Sequence, residues 1–360
     1  MAIIKSLLVN VFTGASATTA LLMVAVAYSD RLHPADYPTL ACAGMVFPFF
    51  LVANLIMLML WFMISWRRSW IPLLGFVVAF PAIRIYLPLH FKSELPQGSI
   101  KVLSYNVCGY ALQDVDENPQ KTIFEYLRKQ NADIVCLQED MTQEYPNAVD
   151  YSDLYPYNDT VHVSNPKLPL INCVGVHSRY PILRKEPIRT DSKANGSAAF
   201  FLLVENDTVL LVNNHLESTH LEATDRQRYH DILNGTMNRE DAQAETLMLL
   251  DKLSLAMVQR AQQAEAVHHY VESHKHYPVI LCGDFNDSPI SYVRRTLAGG
   301  LTDCYVETGR GLGISYNQKG FYFRIDQLMC SSHFQPYNCY VDNKISASDH
   351  YPIIGWLRWK

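Results

Sequence analysis

A small set of acids, amides and imidazoles recurs just after apolar, strand-like runs of the chain. They are Asn106 in SYNV, Glu139 in IVCLQED, Asn213 and His215 in VNNHLES, Asp284 and Asn286 in LCGDFND, Asp326 in FRIDQL, and Asp349 and His350 in ASDHYP. Loops at strand ends can project such groups into a common cleft. Taken singly, each has an ordinary explanation as a turn residue, a helix cap or a surface acid. Taken together they are the types that metal-assisted phosphoester hydrolysis requires. A hard divalent cation takes carboxylate and amide oxygens, which Glu139 and Asn106 offer, with Asp349 as a further candidate. Asp284 and Asn286, two residues apart, can point to one side of a strand end and there orient and deprotonate a water. His215 and His350 can neutralise charge on the phosphoryl oxygens of a pentacoordinate transition state, and Asp326 can hold a histidine charged. Asn213, Arg179 and Arg324 are candidates for contacting the substrate, the arginines through its phosphate.

The elements that must position these groups alternate between strand and helix. Ile100–Val107 reads as a buried strand, Pro119–Gln130 as a helix with Ile123, Tyr126 and Leu127 on one face, and Ile134–Leu137 as the next strand. Further strands are expected at Cys173–His177, Ala199–Val204, Val209–Asn213, Val279–Cys282, Phe321–Met329 and Ile353–Trp359, with hairpin-turn chemistry between Val204 and Val209. Ala242–Glu272 is a long helix candidate whose stripe from Leu247 to Val267 reads as core packing. His268, His269, His274 and His276 lie near its end without metal-ligand spacing and read as a surface terminus. The alternation predicts an α/β domain with sheet on sheet and helices outside.

The ordered segments SYN, LQE, NxHL, GDFND, RID and SDHxP resemble the successive motifs of the endonuclease/exonuclease/phosphatase (DNase I-like) superfamily over roughly Ile100–Leu357, with GVHSRYPIL at Gly175–Leu183 as a further similar stretch. The resemblance implies a four-layer α/β sandwich. It also implies that Glu139, helped by Asn106, binds Mg²⁺ or Mn²⁺, that Asp284 and Asn286 handle the nucleophilic water, and that His350, paired with Asp326, contacts the scissile phosphate. By the same likeness His215 lies near the phosphate and leaving group, and Asp349 belongs to the metal or phosphate site. No motif position is degraded, which speaks for an active phosphodiesterase over a membrane scaffold that binds a phosphorylated ligand without turnover. Nuclease-type cleavage and hydrolysis of a phospholipid, inositol or sphingomyelin headgroup are the two substrate readings.

Residues 1–91 have a different character. Their apolar stretches Leu7–Tyr28, Cys42–Ser65 and Trp70–Leu89 each approach the roughly 20 residues that a crossing helix needs. Pro72, Pro81 and Arg84 interrupt the third. The expected organisation is a transmembrane region over 1–91, a linker over 92–98 and the catalytic domain over 99–360. Arg67 and Arg68 mark the loop between the second and third segments as cytoplasmic, which puts the catalytic domain on the other side of the bilayer, periplasmic or extracellular. The first segment also reads as a cleaved signal peptide ending in Ala25-Val26-Ala27, with the same orientation.

Residues 92–360 hold 25 of the 30 Lys and Arg but 33 of the 35 Asp and Glu, a net charge of −8. Duplex nucleic acid is held through Lys and Arg at its phosphates, so this balance disfavours tight sequence-independent DNA binding. The eight cysteines include no C-x-x-C pair. Cys108, Cys136, Cys173 and Cys282 sit in apolar runs and read as small buried hydrophobes, while Cys330 and Cys339 could close a short loop in an oxidising compartment.

Overall fold

The structure, a computed structural model, describes residues 2–110, 118–142, 150–164, 172–190, 192, 194–219, 223–318 and 321–360. Two six-stranded sheets dominate the catalytic part. The strands are β1 (Ile100–Asn106), β2 (Ile134–Gln138), β3 (Tyr157–His162), β4 (Cys173–Ser178), β5 (Ile182–Ile188), β6 (Gly196–Val204), β7 (Asp207–His215), β8 (Val279–Asp284), β9 (Thr302–Asp303), β10 (Tyr316–Gln318), β11 (Phe321–Phe323), β12 (Asp326–Cys330), β13 (Phe334–Val341) and β14 (Ile353–Trp359). One sheet runs β13-β14-β1-β2-β4-β3 and the other β5-β6-β7-β8-β12-β9, while β10 and β11 form a separate hairpin.

Side chains alternate across each strand, and in the central strands both faces are buried. Ile100, Val102, Ile134 and Cys136 of one sheet meet Phe200, Leu211, Ile280 and Leu328 of the other in the central core. The opposite faces carry helices. Leu103, Tyr105, Val135 and Leu137 pack under Ile123, Phe124 and Leu127, whereas Phe201, Leu210, Val212 and Leu281 pack under Ala264, Val267 and Val293. The result is the expected four-layer α/β sandwich.

The helices are α1 (Ala2–Ala27), α2 (Pro38–Ala41), α3 (Phe47–Ile64), α4 (Trp70–Val78), α5 (Phe80–Tyr86), α6 (Pro119–Gln130), α7 (Ala223–Leu233), α8 (Arg239–Ser273), α9 (Tyr292–Leu297) and α10 (Cys304–Thr308). The ends of α6 show why it stops where it does. Asn118 caps the first turn by accepting from the Lys121 amide at 3.0 Å, and Asn131 ends the last turn in the left-handed region.

Strands β3, β5, β9 and β13, outside the sequence expectation, are edge strands or the neighbours of edges, where burial is one-sided and an apolar run is not required. The expected strand Phe321–Met329 is two strands, broken at Arg324 and Ile325 so that Asp326 begins β12. The apolar stripe of α8 reads as core only from Met257 onward. Leu247 is 61% exposed, because the first half of the helix runs beyond the sheet that it covers further on.

Helices α1 and α3 are each long and apolar enough to cross a membrane, and α4 with the turn before it and α5 form a third segment bent by 62° near Ala79, just ahead of Pro81. The bundle is packed closely at Gly75, where a Cβ would stand 3.0 Å from that of Ala20. At one end of the bundle Arg68 donates to the Val9 carbonyl at 3.2 Å and to Thr13 Oγ1 at 2.6 Å. The catalytic part lies at the other end: Met23, Val26, Phe47 and Ala82 share an apolar cluster with Ile290. Residues Pro88–His90 are held along Gly309–Gly311 by backbone hydrogen bonds, and Ser93 bonds Asn338.

Candidate active site

Strand direction gathers the chemistry at one edge of the sandwich. β1 and β2 are parallel, pairing Asn106 with Gln138, and β7 and β8 are parallel, pairing His215 with Asp284. β12 is antiparallel to β8, which sets Asp326 opposite Asp284. β14 is antiparallel to β1, so Asp349 and His350, just before it, arrive at the same end. Asn106, Glu139, His215, Asp284, Asn286, Asp349 and His350 line one cavity, and Asp326 lies immediately behind His350.

Asp284 is the most heavily bonded of the set. Its Oδ1 accepts from the Asn286 amide at 2.8 Å, and its Oδ2 accepts from Asn106 Nδ2 at 3.1 Å and Asn286 Nδ2 at 3.3 Å. Burial pushes its carboxyl up to about 6, against the pull of His350 and His215. Asn286 holds a left-handed backbone (φ 51°) and is pinned by donation to the Leu216 carbonyl at 2.9 Å. Gly283, at φ 128°, has no room for a Cβ because the Asn214 backbone of β7 lies against it. That close approach aligns Asp284 with His215.

His350 donates through Nδ1 to Asp326 Oδ2 at 2.9 Å. Burial alone would discharge the ring, but Asp326 and Asp284 outweigh it and push its pKa up to about 10. Its Nε2 lies 3.6 Å from Asp284 Oδ2, too long for a good hydrogen bond, so that proton remains available. His215 is of the opposite kind. Burial lowers its pKa, and Nδ1 faces Asn172 Nδ2 at 3.1 Å, so the neutral ring carries its proton on Nε2. That nitrogen lies 3.7 Å from Glu139 and 3.8 Å from Asp284.

Glu139 follows β2 in a left-handed conformation (φ 54°), which turns its carboxylate into the cavity, 3.3 Å from Asn106 Nδ2. Burial raises its pKa, and the charge of Asp349 raises it further. Four carboxylates, those of Glu139, Asp284, Asp326 and Asp349, thus face one charged imidazole. Glu139 and Asp349 offer the carboxylate oxygens that a hard divalent cation takes, while Asn106 turns Nδ2 to Glu139 and Asp284 and Oδ1 to the Cys108 amide. Asp284, Asp326 and His350 also bring ligand atoms within 4.8 Å of one another, the one such group among the described residues. A protonated imidazole bonded to a carboxylate has no lone pair to give, so we read that trio as a charge-holding pair beside a base.

Three sequence candidates lie elsewhere. Asn213 is fully buried between the sheets, donating to the Leu137 and Gly175 carbonyls at 2.9 Å and accepting from Gln138 at 2.7 Å; it ties sheet to sheet and contacts no ligand space. Arg179 pairs with Asp133 at 3.1 Å and with Asn131 at the opposite ends of the strands. Arg324 is buried, donates to the carbonyls of Leu312 (2.8 Å) and Ile85, and lies over the Tyr305 ring at 4.3 Å. It joins the end of α5 to the catalytic part.

The sequence reading passed over Asn172, Asp140 and His177. Asp140 directly follows Glu139, is buried, and accepts from His177 Nε2 at 2.8 Å, Tyr110 Oη at 3.2 Å and the Thr142 amide and hydroxyl. Burial raises its pKa, but His177 and Thr142 outweigh this and hold it below the usual carboxylate range. Gly175 is the signal that could have found the pair: a Cβ there would strike the Asp140 carboxylate. All eight cysteines are free, and Cys330 lies beside Cys304, 3.8 Å between sulfurs.

Residues 103–350 match the endonuclease/exonuclease/phosphatase family, and residues 9–86 match a domain of unknown function. No curated protein matches the chain. Among solved structures, the catalytic domain of human Nocturnin with bound sulfate is similar at a TM-score of 0.53 and 17% identity, covering 76% of this chain and 99% of that one. D. rerio TDP2 complexed with single-strand DNA product has a TM-score of 0.50 at 16% identity, covering 73% and 100%. A Bacteroides thetaiotaomicron protein of the same family also has a TM-score of 0.50 at 16% identity, covering 74% and 100%.

Proposed function

The chain belongs to the endonuclease/exonuclease/phosphatase family, and from that premise we propose that it is a membrane-anchored phosphodiesterase whose catalytic residues are Asp284, Asn286, His215, His350 and Asp326. As a member of this family it is a divalent-metal-dependent phosphoester hydrolase. The observation that carries the assignment of residues is the meeting of the buried Asp284 carboxylate with the Asp326-bound imidazole of His350, 3.6 Å apart on one rim of the sandwich.

In this reading Glu139 and Asp349 would hold Mg²⁺ or Mn²⁺, joined by Asn106 once its amide turned Oδ1 inward, and the cation would draw negative charge from the phosphoryl oxygens. Asp284 takes a proton from the attacking water, a task suited to a carboxyl whose pKa lies near neutrality. Asn286 fixes that carboxylate. His350, kept charged by Asp326, donates from Nε2 to a phosphoryl oxygen as charge grows there. His215 presents Nε2–H between Glu139 and Asp284, where it orients the phosphate or the departing oxygen. Water adds to phosphorus as its proton passes to Asp284, one P–O ester bond breaks, and the released oxygen takes a proton from solvent while Asp284 returns its own to solvent.

The anchor comprises α1, α3 and the bent α4–α5 segment, and the packing of the catalytic part at the end away from Arg68 supports its emergence outside the cytoplasm. The test uses the full chain in lipid nanodiscs with bis(4-nitrophenyl) phosphate. Asp284→Ala and His350→Ala should each lower turnover at least about a hundredfold while melting remains cooperative. Turnover near that of the unaltered chain would mean that the residues are misassigned, and a chain inert towards every phosphodiester would favour the scaffold reading. A reporter fused after Lys360 should be active only outside the cytoplasm; activity inside would refute three crossings.

A further inference from the structure

The cavity over the catalytic residues has a volume of about 870 Å³, more than a phosphate and its metal fill. Away from Asp284 and His350 its lining changes character, to Met45, Val46, Ile232, Leu249, Leu250 and Leu253. None of these lies on a strand of either sheet. Met45 and Val46 come from the short turn Cys42–Val46 that leads into the membrane helix α3, and the leucines come from the half of α8 that runs beyond the sheet. The two walls are fastened together: Ala41 and Cys42 are buried against Met257 and Leu253, and Gly44 lies so close to the Ile290 carbonyl that a Cβ would not fit.

We propose that this apolar half of the cavity holds the hydrocarbon chain of a long-chain phosphoester drawn from the bilayer, lying between Cys42–Val46 and Leu249–Leu253 with its phosphate at Asp284 and His350. The inference rests on the phosphodiesterase reading and names its substrate class. Three observations favour this occupant over a polynucleotide. One wall is continuous with the segment that enters the membrane. Leu247, 61% exposed, neighbours Leu250 one turn along α8 and continues the apolar surface of that wall outward. Among the described residues no lysine lines the cavity, and of the two arginines that do, Arg260 is already engaged, donating to the Glu217 carbonyl at 3.0 Å and facing Asp287 at 3.5 Å. A polynucleotide backbone needs a track of such cations.

Monoalkyl phosphates from butyl to decyl, tested as inhibitors of bis(4-nitrophenyl) phosphate hydrolysis by the full chain in nanodiscs, measure the apolar contact directly. Inhibition should tighten by about two- to fourfold per methylene, as burial of a CH₂ requires. The series should flatten in Val46→Asp and in Leu250→Asp. A flat series in the unaltered chain, or a slope unchanged in both variants, overturns the proposal. Photo-labelling of the unaltered chain with decyl phosphate carrying a terminal diazirine gives a readout independent of how the variants fold. Label should fall within 42–46 or 249–253 and be displaced by decyl phosphate but not by decanol. Label elsewhere, or displacement by a single-stranded oligodeoxynucleotide, overturns it. Failure to hydrolyse the chromogenic diester strikes the catalytic reading instead, since the labelling pattern does not depend on turnover.

Discussion

Replacing His177 with Leu should loosen the molecule and the cation site together. The imidazole and Asp140 are 2.8 Å apart, with side-chain exposures of 3% and 0%. Removing one partner of such a pair strands the other's charge out of water, at a cost of about 3–5 kcal/mol. For a domain of this size each kcal/mol lowers the melting temperature by roughly 2–4 °C, so the expected fall is roughly 6–20 °C. Tryptophan fluorescence of the full chain in nanodiscs, heated at one fixed rate, would measure it. His177→Leu with Asp140→Leu should recover part of the loss, because two apolar groups tolerate the site better than one buried ion. Asp140 is also the residue after Glu139, so the bonds that hold it fix the backbone whose left-handed turn aims the Glu139 carboxylate. The Mg²⁺ concentration for half-maximal hydrolysis should therefore rise roughly tenfold in His177→Leu, as for other groups that orient metal ligands. A melting shift under about 2 °C, or a double variant whose loss is the sum of the single ones, would refute the reasoning.

Gly283→Ala should cost at least about 2 kcal/mol by overpacking against the Asn214 backbone, read as a lower melting temperature; an unchanged melt would contradict the close approach of β7 and β8. Asn172→Ala should lower kcat about tenfold with KM nearly unchanged, since one orienting hydrogen bond to His215 is worth about 1–1.5 kcal/mol; an altered KM with normal kcat would place Asn172 in ground-state binding instead. Chelation should abolish hydrolysis, and Mg²⁺ or Mn²⁺ should restore it, whereas turnover persisting in chelator would rule out Glu139 as a cation ligand.

Central strands were readable in the sequence because both of their faces are buried, which leaves continuous apolar runs such as IVCL and VILC. Edge strands such as β5, with Arg184, Lys185 and Pro187 inside it, follow no such rule. The polar residues that end the central strands do converge, because parallel neighbours end on the same side of a sheet. Asn213 shows where this reasoning stops: it sits two residues before His215, inward from the rim, and that offset turns a candidate ligand into a tie between sheets. Arg179 and Arg324 were beyond reach for a different reason. Charge alone does not reveal whether a guanidinium already has carboxylate or carbonyl partners, which both of them have.

The wall that Met45 and Val46 contribute means that the anchor and the catalytic cleft are not separable parts. An excised soluble fragment would carry every acid and imidazole of the centre yet be open on one flank. Were the helices to span a bilayer as proposed, the clasp of Arg324 on the Ile85 carbonyl would fix the height and tilt of the cleft over the lipid. Encounters would then be a search in two dimensions, in which the surface density of the substrate, rather than its bulk concentration, sets the rate.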